Sequence, residues 1–428
     1  MKKSIISLLI GFSVASQALA DDLYQVYQQA LQNDPATLKA KASKDAAYAA
    51  IGTSRAALLP QLDLTLNATK YAMDASGSDN YARLGLSQSI YNASYWDRLD
   101  RAELVATQAD SNYGLAMQDL IVRTVSTYFS VLQAKDDLEF AQAEKRAIER
   151  QLEQTQQRFA VGLTAKTDVH EAQALYDNAV ASEISAQNAV EIRLEALREI
   201  TGNYHPAVEV LDTNRFSAGA LTPGMVDEWL KMADEKNLQL LTSKIAVDIA
   251  KQDIELARDG HLPTVGLSAG VTNSKASIPG EDRSNTASIG LTVSIPLYSG
   301  GGTSAQVETA QNNFVVSSEE RERIHRSVIR NVRSNFYDVT AAVSRIKALQ
   351  QAVVSAESAL NATEAGFDVG TRTIVDVLNS TRNLYDAKRN LARARYGYIT
   401  SVLSLKLAAG TLSESDVMDI NQGLTKAG

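Results

Sequence analysis

The chain contains no cysteine. In an exported protein that excludes disulfide staples, thiolate metal sites and a cysteine-linked lipid anchor. Beyond residue 20 there is no run of eighteen apolar residues, so no membrane-spanning helix is expected, and a membrane could be crossed only by strands. Prolines number seven in 428 residues, which leaves long stretches free for uninterrupted helices. Pro60, Pro263 and Pro296 fall where helix and strand patterns meet, while Pro206 and Pro223 flank a linker. The histidines, His170, His205, His261 and His325, are scattered without ligand spacing, and His170-Glu171 lacks the second histidine of a zinc helix. No metal site and no cofactor are expected.

What is present begins with an export signal. Lys2 and Lys3 precede the short apolar run IISLLIGFSV, and Ala18-Leu19-Ala20 is a small-residue cleavage site, so residues 1–20 are expected to be removed. The mature chain from Asp21 then carries 40 basic against 50 acidic side chains, a net charge of −10. That balance is unsuited to nucleic acid.

The sequence repeats itself. RTVSTYFSVLQA from Arg123 matches RNVRSNFYDVTA from Arg330, LGLSQSI from Leu84 matches IGLTVSI from Ile289, and Leu59-Pro60 matches Leu262-Pro263. Gly202 likewise matches Gly410, and VGLTAKTDV from Val161 matches VGTRTIVDV from Val369. The offsets drift between 203 and 208, as loops of slightly different length require. Two tandem units are expected, 21–202 and 223–410, each reading helix, strand, strand, very long helix, turn, helix. The linker 203–222 and the tail 411–428 fall outside both units.

In the first long helix, Leu99, Ala102, Ala106, Ala109, Tyr113, Ala116 and Leu120 step by three and four, an alanine-rich heptad seam. The pattern predicts helix from about Ser94 to Phe159 and again from about Gly301 to Phe367, rods of roughly 100 Å. Helices near 22–56, 167–201, 224–257 and 373–409 are about half as long, so two placed end to end would match one rod.

The strands alternate. Leu62, Leu64, Leu66 and Ala68 interleave with Asp63, Thr65, Asn67 and Thr69; Leu84, Leu86 and Ile90 with Gly85, Ser87 and Ser89. Val265, Leu267, Ala269 and Val271 interleave with Gly266, Ser268, Gly270 and Thr272; Ile289, Leu291, Val293 and Ile295 with Gly290, Thr292 and Ser294. Segments of about ten residues with one apolar and one small polar face fit outer-membrane strands. Tyr91, Tyr95 and Trp96 cluster where the second strand meets the long helix, Tyr298 holds the same place in the second unit, and Tyr71 and Tyr81 sit at the opposite end, as an interfacial aromatic girdle would. The hairpin tips, MDASGSDN and NSKASIPGEDRSN, are polar. Four strands do not close a barrel, and lipid does not tolerate an open edge, so the membrane reading requires at least two copies. The alternative is a pair of hairpins on a soluble helical core.

Other motifs lack their context. Gly266–Gly270, GLSAG, fits the serine-hydrolase pattern, but Ser268 lies mid-strand with no helix following. Gly300-Gly301-Gly302 has no following Lys-Ser/Thr and reads as a bend between strand and helix rather than a phosphate loop. RERIHR, Arg321–Arg326, reads as a solvated helix face. No enzyme is expected.

Over essentially the whole mature chain, and most specifically in QLEQTQQRFAVGLTAKTDV, REITGNY, DGHLPT, HRSVIRNVRS, QAVVSAESAL and VGTRTIVDVL, the sequence resembles the TolC family of outer-membrane efflux ducts. The resemblance implies a mostly helical fold with a membrane β-barrel portion. In that arrangement a homotrimer builds a 12-strand β-barrel, four strands per chain, continued by a 12-helix periplasmic α-barrel, and 203–222 with 411–428 form an equatorial belt around the helices. It implies a passive exit duct serving tripartite efflux and type I secretion. The implied partners are a periplasmic adaptor, an inner-membrane drug pump or ABC exporter, and outer-membrane lipid. A stand-alone outer-membrane porin or receptor is the alternative, and the long rods speak against it.

Under the same resemblance the two Val-Gly turns form the periplasmic mouth, and Gly162, Leu163, Thr164, Gly370 and Thr371 are adaptor-docking positions. Locally, Gly162 and Gly370 are expected to stop their helices at positive φ, with Thr167 or Thr371 helping to start the next. The family latch joins a basic residue of the second turn to an acid and a hydroxyl of the first, here Arg372, Asp168 and Thr167. A tyrosine that adds a bond is here Phe367, which cannot donate one. Of two acidic rings at the constriction, Asp376 matches one, while the other position is Asn379.

Overall fold

The computed structural model describes residues 21–71, 77–213, 215–276 and 284–425. The expected signal peptide and most of both hairpin tips lie outside the described residues. The element order is α1 (Leu23–Asn33), α2 (Pro35–Ala56), β1 (Gln61–Tyr71), β2 (Gly77–Tyr91), α3 (Ala93–Ala160), α4 (Lys166–Thr201) and β3 (Val210–Leu211). The second half continues with α5 (Val226–Lys236), α6 (Leu238–Arg258), β4 (Thr264–Ala276), β5 (Ser284–Ser294), α7 (Gly302–Asp368), α8 (Ile374–Ala408), α9 (Glu414–Asn421) and β6 (Leu424–Thr425).

The long helices α3 and α7 run for 68 and 67 residues, about 100 Å each. Neither contains a proline, and α3 ends on a basic Arg158 that suits the negative helix terminus. Gly300 and Gly301 take φ of 64° and 83° and turn the chain from β5 into α7, a conformation that side-chain-bearing residues rarely adopt.

Each expected N-terminal helix is two helices. The first breaks at Asp34, because Pro35 pushes the preceding residue into extended backbone. Asp34 then caps α2, its carboxylate accepting from the Thr37 N–H at 2.8 Å and the Thr37 hydroxyl at 2.7 Å. The second breaks at Asn237, which has no proline after it, yet caps α6 through the Leu240 N–H at 3.0 Å. Helix periodicity runs straight through both positions, so the breaks are invisible to it.

The breaks are splices between columns. At the first, the Asn33 amide donates to the Thr201 carbonyl at the end of α4, 2.8 Å away. At the second, the Asn237 amide donates to the Ala408 carbonyl at the end of α8, also at 2.8 Å. Both α4 and α8 lead into glycines at positive φ, Gly202 and Gly410. A Cβ on Gly410 would lie 2.4 Å from the Lys236 carbonyl, so the second splice has no room for any other residue.

The four-stranded antiparallel sheet has the order β1-β2-β4-β5, placing the two hairpins side by side. Its register lines up the apolar residues in cross-strand rows: Leu62, Leu86, Ala269 and Ile289 in one, Leu64, Leu84, Val271 and Ala287 in the next. The intervening row on the other face is Asp63, Gly85, Gly270 and Ser288. A register shift between Ser89 and Tyr91 pairs Tyr91 with Val265, which moves this tyrosine onto the apolar face. Tyr81 is a correction: it pairs with Asn67 and Ser274 on the polar face, because the strand period is two and Tyr81 is out of phase with Leu84.

The belt has definite structure. Strand β3 of the linker pairs with β6 of the tail, and Asp21 bridges to Val208. Tyr24 and Gln28 both donate to Glu414 of α9, at 2.9 and 2.8 Å. Beneath the belt lies the largest buried cluster, in which Leu23, Val26 and Tyr27 meet Leu120, Tyr128, Phe129, Leu197 and Leu403.

The strongest ionic contact at the first splice joins Arg123 of α3 to Asp34, with both guanidinium nitrogens on both carboxylate oxygens at 3.0 and 2.9 Å. Burial pushes the Asp34 carboxyl up, but the Arg123 and Thr37 hydrogen bonds outweigh it and hold it at about 2. The folded value is depressed, so this stability is present above the normal carboxyl range and is lost as pH falls toward 2. Asp34→Ala removes a cap and leaves Arg123 paired with Asp119 alone, and should cost about 1–3 kcal/mol at neutral pH. Thermal unfolding followed between pH 7 and 3 should show the deficit against wild type narrowing below pH 4.

Candidate functional site

Two surfaces hold the candidate residues: the apolar face of the sheet and the pair of turns at the far end of the long helices. On the sheet, Leu62, Leu64, Leu66, Ile289 and Leu291 are each at least 64% exposed in the single chain. A continuous aliphatic face of this kind is not left in water. Tyr91, Trp96 and Tyr298 are exposed at the helix-proximal margin of this face. Tyr95 is half-buried, with the Arg98 guanidinium 5.8 Å from its ring centroid. β1 and β5 each have a neighbour on one side only, and every residue of β5 is exposed.

The two turns have the same backbone. Gly162 and Gly370 have φ of 77° and 79°. Leu163 N–H reaches back to the Arg158 carbonyl and Thr371 N–H to the Gly366 carbonyl, both at 2.8 Å, while each glycine N–H bonds three residues back. This is the closed glycine C-cap, in which two orphan carbonyls find donors. Val161, Leu163 and Val369 stand at the tips with 70%, 72% and 75% of their surface exposed.

The next helices start differently from the expectation. Thr167 is already helical and exposed, and Thr371 donates instead to the Gly366 carbonyl at 3.0 Å. The cap of α8 is Thr373, whose hydroxyl accepts from Asp376 N–H at 3.3 Å while the Asp376 carboxylate accepts from Thr373 N–H at 3.0 Å, a reciprocal capping box. Asp168 holds the same place in α4: its carboxylate takes the Thr164 hydroxyl in a short hydrogen bond and the Ala165 N–H at 3.4 Å. The pair of Asp-Val sequences therefore marks two helix starts. Backbone and then side-chain bonds from Thr373 lower the Asp376 carboxyl below its usual range.

Within one chain Asp168 and Arg372 do not meet. Among the described residues Arg372 has no ion pair; its stem lies over Gly366, where a Cβ would come within 2.8 Å of the Arg372 Cγ. Phe367 is half-buried under the Arg158 guanidinium, 4.4 Å from its ring centroid. Asn379 is exposed and accepts from Arg382 at 3.3 Å. The turn ends of the two hairpins share a buried cluster of Ile148 and Leu152 from α3, Ala172 and Ala179 from α4, and Ile374, Val377 and Leu378 from α8.

Farther from the turns, polar contacts sew α3 to α8: Glu144 to Arg389 and Asp137 to Arg393 at 2.9 Å, and Asp136 to the Tyr396 hydroxyl at 2.6 Å. Burial pushes the Asp136 carboxyl up to about 6 despite the Tyr396 bond. Sequence reasoning found none of these, nor Arg158 or Thr373. The only signal was the spacing of Arg389, Arg393 and Tyr396 along one helix face.

Long paired helices carrying a four-stranded sheet with an apolar outer face define an outer-membrane channel. The outer membrane efflux protein family model matches residues 26–203 and 229–411, and the chain belongs to that family. It is 45% identical to outer membrane protein TolC of Vibrio cholerae, over the whole of both chains. It is 30% identical to the alkaline protease secretion protein AprF of Pseudomonas aeruginosa, covering 94% of this chain and 86% of that one. Among solved structures, the Campylobacter jejuni CmeC outer membrane channel superposes with a TM-score of 0.78 at 19% identity, over 94% of this chain and 90% of that one. The protein is thus an outer-membrane exit duct with a periplasmic extension, and not an enzyme.

The two faces of β5 give a direct check. Ile289→Lys puts a charge on the apolar face and should cost about 2–4 kcal/mol of folding stability in lipid. Ser288→Lys, one residue away on the polar face, should be close to neutral. Recovery in the outer-membrane fraction and unfolding in lipid vesicles read both.

Proposed function

We propose that three copies of this chain close one 12-strand barrel in the outer membrane and one 12-helix barrel in the periplasm. The observation that carries this reading is the four-stranded sheet with two unpaired edges and an exposed apolar face. Residues 21–202 and 223–410 serve as the two repeats of each chain, and 203–222 with 411–428 as the belt.

In this assembly the duct receives drugs or secreted proteins from inner-membrane partners, either a drug pump or an ABC exporter, through a periplasmic adaptor. The relative named for alkaline protease secretion supports the secretion role. The adaptor docks on Gly162, Leu163, Thr164, Gly370 and Thr371, where Val161, Leu163 and Val369 leave apolar tips uncovered. The chain itself supplies no energy to transport.

The resting mouth is closed. Among the described residues Arg372 forms no ion pair, and within its own chain its charge acts on Asp376; the latch joins Arg372 of one copy to Asp168 and Thr167 of the next. Asp376 from three copies rings the constriction, with Asn379 one turn farther along the helix.

A partly exposed pair contributes about 1 kcal/mol, so Arg372→Ser should raise resting conductance in planar bilayers about fivefold. Asp168→Ala should raise it at least as much, since it also uncaps α4. Conductance unchanged in both removes the latch. Asn379→Asp adds a second carboxylate ring and should strengthen block by multivalent cations; equal block in variant and parent overturns the placement of the constriction. Crosslinking in membranes that yields dimers and no trimers would end the 12-strand reading.

A further inference from the structure

The tandem repeat makes Phe159 and Phe367 equivalent, and likewise Arg158 and Gly366, each offset by 208 residues. The structure treats the two pairs differently. Phe159 is exposed at its tip. Phe367 is half-buried, packed against the mouth cluster of Ile148, Leu152, Ile374 and Leu378, with the Arg158 guanidinium 4.4 Å from its ring centroid. Arg158 belongs to the last turn of α3 and Phe367 to the last turn of α7. The contact therefore spans the two helical hairpins of one chain.

We propose that Arg158 and Phe367 form a cation–π brace that positions the α7–α8 hairpin against the α3–α4 hairpin and holds the mouth shut. It rests on the reading of the turn end as the closed mouth. Three observations support it. First, among the described residues no hydrogen bond or ion pair joins the ends of α3 and α7, and α8 packs on both helices. Second, Arg158 has no carboxylate partner among the described residues, so its charge is directed to the ring and to the carbonyl end of α3. Third, Asp168 is engaged by Thr164 and Ala165 within its own turn, so it does not compete for Arg158.

The asymmetry of the repeat gives the brace a direction. Gly366 has no side chain, so the second turn has no cation to place over Phe159. Instead the Arg372 stem occupies the space above Gly366. Each chain thus has one brace inward, from Arg158 to Phe367, and one cation outward, Arg372. A displacement that lifts α7 from α3 breaks the brace without breaking any backbone hydrogen bond.

The test is a double-mutant cycle read as resting conductance in planar bilayers, on the full-length protein. Arg158→Gln keeps the polar stem without the charge; Phe367→Leu keeps apolar volume without the ring. Each should raise resting conductance about fivefold, the factor expected from losing one partly desolvated cation–π contact. The double variant should rise no further than either single. Arg158→Lys and Phe367→Tyr retain cation and ring and should stay near wild type, which separates the brace from a general loss of helix packing. Additive single effects, or conservative variants as leaky as the disruptive ones, overturn the brace. If Arg372→Ser opens the channel and Arg158→Gln and Phe367→Leu do not, the brace fails and the closed mouth stands. If none of these variants changes conductance, both fail together.

Discussion

An antiparallel sheet of four strands has two edges, and in this chain both are bare. β1 and β5 offer rows of unpaired N–H and C=O groups, and the face they share is aliphatic through its central rows. Hydrocarbon accepts a strand only when every backbone polar group has a partner. The apolar face and the open edges therefore make opposite demands on a single chain: the first seeks lipid, the second forbids it. The association of copies proposed above resolves the conflict, and under that proposal the helices continue the strands of a closed cylinder.

The helical part answers a different constraint. A column of about 100 Å needs either one uninterrupted helix or two joined ends, and each repeat uses both. The joints are made by short polar side chains that satisfy the terminal carbonyls of one helix while capping the next, as Asn237 does for Ala408 and Leu240. The belt packs around these joints. Its buried cluster and the Asp34–Arg123 pair lie at the height where the column would otherwise be weakest.

At the mouth the same turn is used twice for unequal ends. Identical glycine caps and identical aspartates at the helix starts make both turns rigid, which leaves the side chains between them free to differ. In the first turn Thr164 closes on Asp168; in the second the equivalent position is Arg372, which reaches across Gly366.

The sequence by itself determined the class of fold. Strand period, heptad stepping, scarce proline and the repeat offsets are local quantities, set by backbone geometry; they located α3 and α7 closely and found all four strands, although β2, β4 and β5 extend into segments expected as polar hairpin tips. Gly162 and Gly370 were equally legible, because positive φ is a local demand, whereas the capping role of Asp168 and Asp376 was not read from the sequence. Tertiary structure alone decided what depends on distant neighbours. The break at Asn237 exists because α8 ends against it, and nothing in its own flanking residues announces this. Tyr91 fell on the apolar face because of a shift in register with β4. Thr373 rather than Thr371 capped α8 because the glycine turn had already engaged Thr371. Arg158 found Phe367 through packing of two helices whose ends lie more than two hundred residues apart in the chain, a separation across which periodicity carries no information.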